Sequence, residues 1–100
     1  MLLPLLIGLA GAVAEPAPRF TAACRQERSA AHCTCVVTAL SADPGGRFFL
    51  GMAELTARPD ADQRPAYAAL LARHGVDSTG GNALRQRGEA VGDAAVARCA

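Results

Sequence analysis

The chain has no Trp and no Lys, and aromatic residues make up only 4 % of its 100 positions. A core with so few large rings must be built from Leu, Val and Ala, whose small side chains suit closely packed helices. The net charge is +1, from ten Arg and nine acidic residues. Because nucleic acids and anionic lipids are usually gathered by a strongly basic patch, we expect neither as a partner of the mature protein.

Strand-forming sequence is also scarce. The longest β-branched run is Val36-Val37-Thr38, whereas Ala, the best helix former, occupies 23 positions. The sequence therefore predicts an all-α fold, a small bundle of four to five short helices. The predicted helices start near the caps Thr21, Ser29, Asp62 and Asn82, with a further helix at 47–57 and a glycine-rich loop at 78–82.

Apolar spacing and a terminal glycine support two of these helices. Between residues 29 and 42 the apolar side chains fall at i, i+3, i+4 and i+7, which predicts one buried face. Around Gly75, the order His74-Gly75-Val76 predicts a helix end in which the glycine adopts a left-handed conformation and Val76 folds back on Leu71. The histidine in that last turn suits the helix dipole.

The first residues have the features of a secretory leader. Residues 2–14 are apolar, too few to span a bilayer, and end in the small-x-small sequence Ala12-Val13-Ala14 that a signal peptidase recognises. We expect cleavage before Glu15 and a periplasmic or secreted protein, with no membrane association after cleavage. The expected organisation is a signal peptide at 1–14, an extended N-terminal segment at 15–19 and a single disulfide-stabilised helical domain at 20–100.

Four cysteines are an even set in a short exported chain, a pattern typical of a disulfide framework. Cys33 and Cys35 diverge by about 200° on a helix, so a bond between them ranks last. Either one can bridge to Cys24 across a helical hairpin. Because Cys33 shares the apolar face of its helix, the favoured pairing is Cys33 with Cys99 through the core and Cys24 with Cys35 across the hairpin.

Residues 20–40, with Cys24 followed by Cys33-Thr34-Cys35 at the start of an apolar helix, resemble small uncharacterised bacterial periplasmic proteins with a Cys...Cys-x-Cys helical hairpin. The resemblance covers about a fifth of the chain. It implies a helical fold and a periplasmic location, and it implies no activity.

A soft-metal site is the main alternative to structural disulfides. His32, Cys33 and Cys35 offer one imidazole and two thiolates, with Met52 or Cys24 as a fourth ligand, a set that suits Cu(I) or Zn(II). The spacing lacks the paired C-x2-C or H-x3-H units of most zinc sites. Thiol redox chemistry ranks lower, because such enzymes usually carry Cys-x-x-Cys on a fold that contains strands.

The functional expectation is a small exported, non-enzymatic protein that acts through contacts with another protein and needs no cofactor. No pair of carboxylates and no nucleophile with a neighbouring base stands out in the sequence. The alternative is a soft-metal binding or carrier protein that uses His32, Cys33 and Cys35.

Overall fold

The computed structural model of the protein describes residues 17–99. The predicted signal peptide, residues 15 and 16 and the last residue lie outside this range. Within it, five helices are present and no strand, and two disulfides join them, which confirms the predicted all-α bundle. The helices are α1 (Pro18–Arg25), α2 (Ala30–Ser41), α3 (Pro44–Thr56), α4 (Asp60–Arg73) and α5 (Ser78–Arg98).

Two predicted helix boundaries are confirmed in atomic detail. The Ser29 hydroxyl caps α2 by accepting a hydrogen bond from the His32 amide. At the end of α4, Gly75 has a φ of 65°, and the Val76 amide donates to the Leu71 carbonyl at 3.1 Å. This is the predicted glycine-terminated helix end.

The start of α3 corrects the sequence analysis, which placed it at residue 47. The helix begins at Pro44, because the Asp43 carboxylate accepts hydrogen bonds from the Gly45 and Gly46 amides. A proline fits the first helical position, where its missing amide hydrogen has no intrahelical role. Only Ala42 and Asp43 therefore separate α2 from α3.

The start of α1 also differs from the prediction. This helix begins at Pro18, so residues 18 and 19 of the expected extended segment are helical. Thr21, the predicted cap, is a buried residue inside the helix. The N-cap residue is Ala17, whose side chain makes no capping hydrogen bond.

The last two helices start earlier than predicted as well. In α4 the first residue is Asp60, so the predicted cap Asp62 lies in the first turn of the helix. In α5 the cap is Asp77, which accepts from the Gly80 amide, and the predicted loop at 78–82 is helical. Asn82 therefore lies inside α5 and does not cap it.

Helix α3 is the centre of the bundle and packs against the other four helices. Its most extensive contact is with α5, where the two backbones approach closely at Gly45 and Gly88. Helix α4 packs mainly on α3. An open cleft is left where α4 and α1 both lie against α3.

The core consists of two clusters. The first joins the buried faces of α2, α3 and α5, and the second joins α3 to α4. The first contains Ala17, Val36, Val37, Leu40, Leu50, Ala95 and Cys99, and the second contains Phe48, Leu55 and Leu70. The predicted apolar face of α2 is buried as expected. From residue 17 to residue 99, none of the helices has both the length and the apolar character needed to cross a membrane.

Candidate functional site

All four cysteines form disulfides, and their pairing differs from the favoured prediction. Cys24 bonds to Cys33, with the Cα atoms 5.9 Å apart, and Cys35 bonds to Cys99, with the Cα atoms 5.8 Å apart. The first bridge ties α1 to the start of α2. The second ties the chain end that follows α5 to the opposite side of α2.

The pairing was wrong because Cys99 does not continue the apolar stripe of α5. Its φ of −81° and ψ of 99° are extended, so the chain has left the helix at this residue. The buried face of α2 also meets α1, which is why the buried Cys33 reaches Cys24. Cys35 projects away from that side of α2 and is left to meet Cys99.

His32, for which the sequence offered no structural role, fixes the chain end beside the second disulfide. The residue is 3 % exposed, and its Nδ1 lies 2.5 Å from the Cys99 carbonyl oxygen. A carbonyl oxygen only accepts hydrogen bonds, so Nδ1 must carry the proton and donate it. Arg28 Nη2, at 3.4 Å from the same nitrogen, is therefore a close neighbour of the ring and not its hydrogen-bond donor.

The alternative metal site is not assembled. Cys33 and Cys35 belong to different disulfides, so neither offers a thiolate beside His32. Across residues 17–99, no group of three or more His, Cys, Asp or Glu side chains is placed to hold a metal ion. Cys33 and Cys35 thus each belong to a structural disulfide, and the His32 imidazole positions the Cys99 backbone beside the second one.

Two carboxylates that stand near helix starts have structural roles. Glu54 Oε2 accepts the Arg19 and Phe20 amides at 3.0 and 3.1 Å, so a side chain of α3 caps the otherwise uncapped α1. The Asp43 carboxylate accepts hydrogen bonds from Nε and Nη2 of Arg87 on α5, at 2.8 to 3.1 Å. The hydrogen bonds from this guanidinium, together with two backbone amides, lower the pKa of the Asp43 carboxyl.

A cleft of about 490 Å³ lies between α1, α3 and α4. Its floor is apolar, and its rim is charged. The floor includes Gly51, Leu55, Ala66, Ala69 and Leu70, and the rim carries Arg19, Glu54, Arg58, Asp62 and Arg73. On the rim, Arg19 faces Glu54 at 3.7 Å, while Arg58 and Arg73 form no ion pair with any residue in the part of the chain that the structure describes.

A smaller cavity of about 250 Å³, which we call the basic branch, borders the cleft. It is lined by Ser41, Arg47, Leu50, Gly51, Leu70, Arg73 and His74. Gly51, Leu70 and Arg73 line both cavities, so they form the junction between them. Neither cavity could be predicted from the sequence, because the walls come from segments up to about 50 residues apart.

The basic branch has an excess of positive charge. Partial burial lowers the pKa of His74, and the nearby charges of Arg73 and Arg47 lower it further. The His74 ring also packs edge-to-face on Phe48, with the centroids 5.3 Å apart. The imidazole is therefore kept neutral near pH 7 beside two guanidinium groups.

A scan against protein-family models and searches of curated proteins and of solved structures gave no match to this chain. What the chain shows by itself is a small disulfide-stabilised all-α protein.

Proposed function

We propose that this protein is exported and works in the periplasm or outside the cell, as a non-enzymatic module that binds another protein. The proposed binding surface is the cleft between α1, α3 and α4. The observation that carries the proposal is the complete pairing of the cysteines: no free thiol is left among residues 17–99.

The disulfides favour an oxidising compartment. Disulfide bonds persist in secreted and periplasmic proteins, whereas cysteines in the cytosol of most organisms are kept as free thiols. A folding unit of this size has a small core, so two cross-links contribute a large share of its stability. The leader-like residues 2–14 and the resemblance to small periplasmic proteins support the same location.

Three side chains that could serve in catalysis are engaged in holding the fold. His32 fixes the chain end, Glu54 caps α1, and Asp43 caps α3 while bonding Arg87. The cleft combines an apolar floor with a charged rim, which is the anatomy of a surface that binds a protein segment. Both features support a binding role.

The test is site-specific photo-crosslinking in cells that produce the full chain. A photoreactive residue replaces Ala69, an exposed residue that lines the cleft, and in a matched control it replaces Ala94, an exposed residue of α5. We expect one discrete adduct from position 69 in the exported fraction and none from position 94. The charge reversal Arg58→Glu, on the rim of the cleft, should remove the adduct.

Three results would contradict the proposal: equal adducts from both positions, an adduct that persists in Arg58→Glu, or recovery of the protein from the cytoplasm with four free thiols. Circular dichroism and intact mass of each variant establish that the fold and both disulfides are retained.

A further inference from the structure

We propose that the basic branch of the cleft is a binding site for an oxyanion group, a carboxylate or a phosphate-type group. The inference rests on the proposed binding function and deepens it, because it names the chemistry that a partner presents to the cleft.

The charges of the cavity wall are the first argument. Arg47 from α3 and Arg73 from α4 both line the basic branch, and no carboxylate does. Arg47 donates one hydrogen bond, from Nη1 to the Ser41 carbonyl at 3.0 Å, which leaves four of its five donors. A planar guanidinium with free donors is well suited to a bidentate oxyanion.

Arg73 is the second argument, because its guanidinium has no side-chain partner. It makes no side-chain hydrogen bond and no ion pair in the described part of the chain, although it lines both cavities. Two guanidinium groups on one small cavity repel each other, and an anion between them relieves that repulsion.

Ser41 supplies a third, independent argument. Its Oγ is buried and has no hydrogen-bond partner among the described residues, yet the residue lines the basic branch. Buried hydroxyl groups are almost always paired in folded proteins. A hydroxyl can donate to an oxyanion, so rotation of the Ser41 side chain toward the cavity would pair its Oγ with a bound carboxylate or phosphate.

His74 reports on occupancy of the site. The charged groups that face its ring are Arg73 on its own helix and Arg47 on α3, and both oppose its protonation. An anion bound among them reverses that effect and raises the pKa of His74. Protonation of His74 and anion binding therefore strengthen each other by the same factor.

The experiment is a pH titration of the histidine ring resonances by NMR on the full-length, oxidised protein. Sulfate is the probe, because its charge is constant over the pH range, and chloride keeps the ionic strength equal in the reference. We expect sulfate to raise the pKa of His74 by about one unit, equivalent to about tenfold tighter binding to the protonated ring. His32, which does not line the basic branch, is the internal control and should not respond.

Variants assign the effect to the site. Arg73→Gln should weaken sulfate binding by about tenfold, since it removes a charge-assisted hydrogen-bond donor. Arg64→Gln, on the same helix but outside the basic branch, should change it by less than twofold. No shift of His74 in the wild type, or equal responses in both variants, would overturn the inference.

Two peptide probes identify the source of the oxyanion. A short peptide with neutral ends and two Glu residues is compared with its Gln counterpart and with sulfate. Tighter binding of the Glu peptide than of sulfate assigns the site to an acidic protein segment, and equal binding assigns it to a small free anion. The crosslinking experiment tests the proposed function separately. If sulfate shifts the His74 pKa but position 69 gives no adduct, the anion site is supported and the proposed binding of a partner protein is contradicted.

Discussion

Gly88 and Gly92 lie one turn apart on α5 and should respond in opposite ways to alanine. A Cβ added at Gly88 would lie 2.3 Å from the Gly45 carbonyl oxygen and 2.6 Å from the Phe49 Cβ. A Cβ at Gly92 would meet its nearest neighbour, a Leu40 methyl group, at 3.6 Å, an ordinary contact. The same chemical change therefore separates two helices at one position and adds an ordinary contact at the other.

The magnitudes follow from two opposing effects. Alanine improves helix propensity over glycine by about 1 kcal/mol at either site. At Gly88 the neighbour is the backbone of α3, so the helices must move apart at their closest approach, and overpacking of this kind costs about 1 to 3 kcal/mol or more. We expect Gly88→Ala to lower the free energy of unfolding by about 2 kcal/mol and Gly92→Ala to raise it by about 0.5 to 1 kcal/mol.

The assay is thermal unfolding of the oxidised protein, followed by circular dichroism and checked by urea titration. For a domain of this size, 1 kcal/mol shifts the Tm by about 4 to 8 °C, so Gly88→Ala should unfold about 10 °C below the wild type. Gly92→Ala should unfold about 4 °C above it. If Gly88→Ala proves as stable as Gly92→Ala, the close backbone approach of α3 and α5 is wrong.

Three further perturbations test other contacts. The double variant Cys35→Ser, Cys99→Ser opens a loop with a sequence separation of 64 and should lower the free energy of unfolding in urea by about 4 kcal/mol. Removing the bridge between Cys24 and Cys33, with a separation of 9, should lower it by about 2.5 kcal/mol. Equal losses would contradict the dependence on loop length. Glu54→Ala should lower the free energy of unfolding by about 1 to 2 kcal/mol and speed amide hydrogen exchange in α1 but not in α5. Unchanged exchange in α1 would show that the Glu54 cap does not stabilise this helix. Arg87 lowers the pKa of the Asp43 carboxyl, so the Asp43 carboxylate stabilises the fold at pH values above its ordinary pKa of 3.8, and this effect is lost as the pH falls below that value. The free energy of unfolding of Asp43→Asn in urea should therefore depend less on pH between about 5 and 2 than that of the wild type. An unchanged pH slope would argue against the contact.

Sequence signals located the helices well where a cap or a terminator acts locally. Ser29 and Gly75 marked their helix ends correctly, because their hydrogen bonds join residues within one turn. The glycines of α3 and α5 misled the prediction. At position 81 of α5 a glycine leaves room for the side chains of Leu71 and Phe48, which a Cβ would contact too closely. This packing requirement is visible only in the folded structure.

The candidate site was less accessible from the sequence. The four cysteines were identified, but their pairing depends on where the chain leaves α5, a change of direction that apolar spacing does not encode. The cap that Glu54 provides for α1 joins residues 34 and 35 positions apart. Arg73 and Ser41 come to line the same cavity only after the helices pack, so nothing in either local sequence marked the basic branch.

The most direct test of the account is the disulfide map of the protein recovered from the exported fraction. Trypsin leaves Cys33 and Cys35 on one peptide, because no Arg or Lys separates them, so the linked peptides must be fragmented at Thr34 by electron transfer. We predict no thiol reactive to alkylation before reduction, with Cys33 linked to Cys24 and Cys35 linked to Cys99. Free thiols in a cooperatively folded exported protein would contradict the account, as would the opposite pairing.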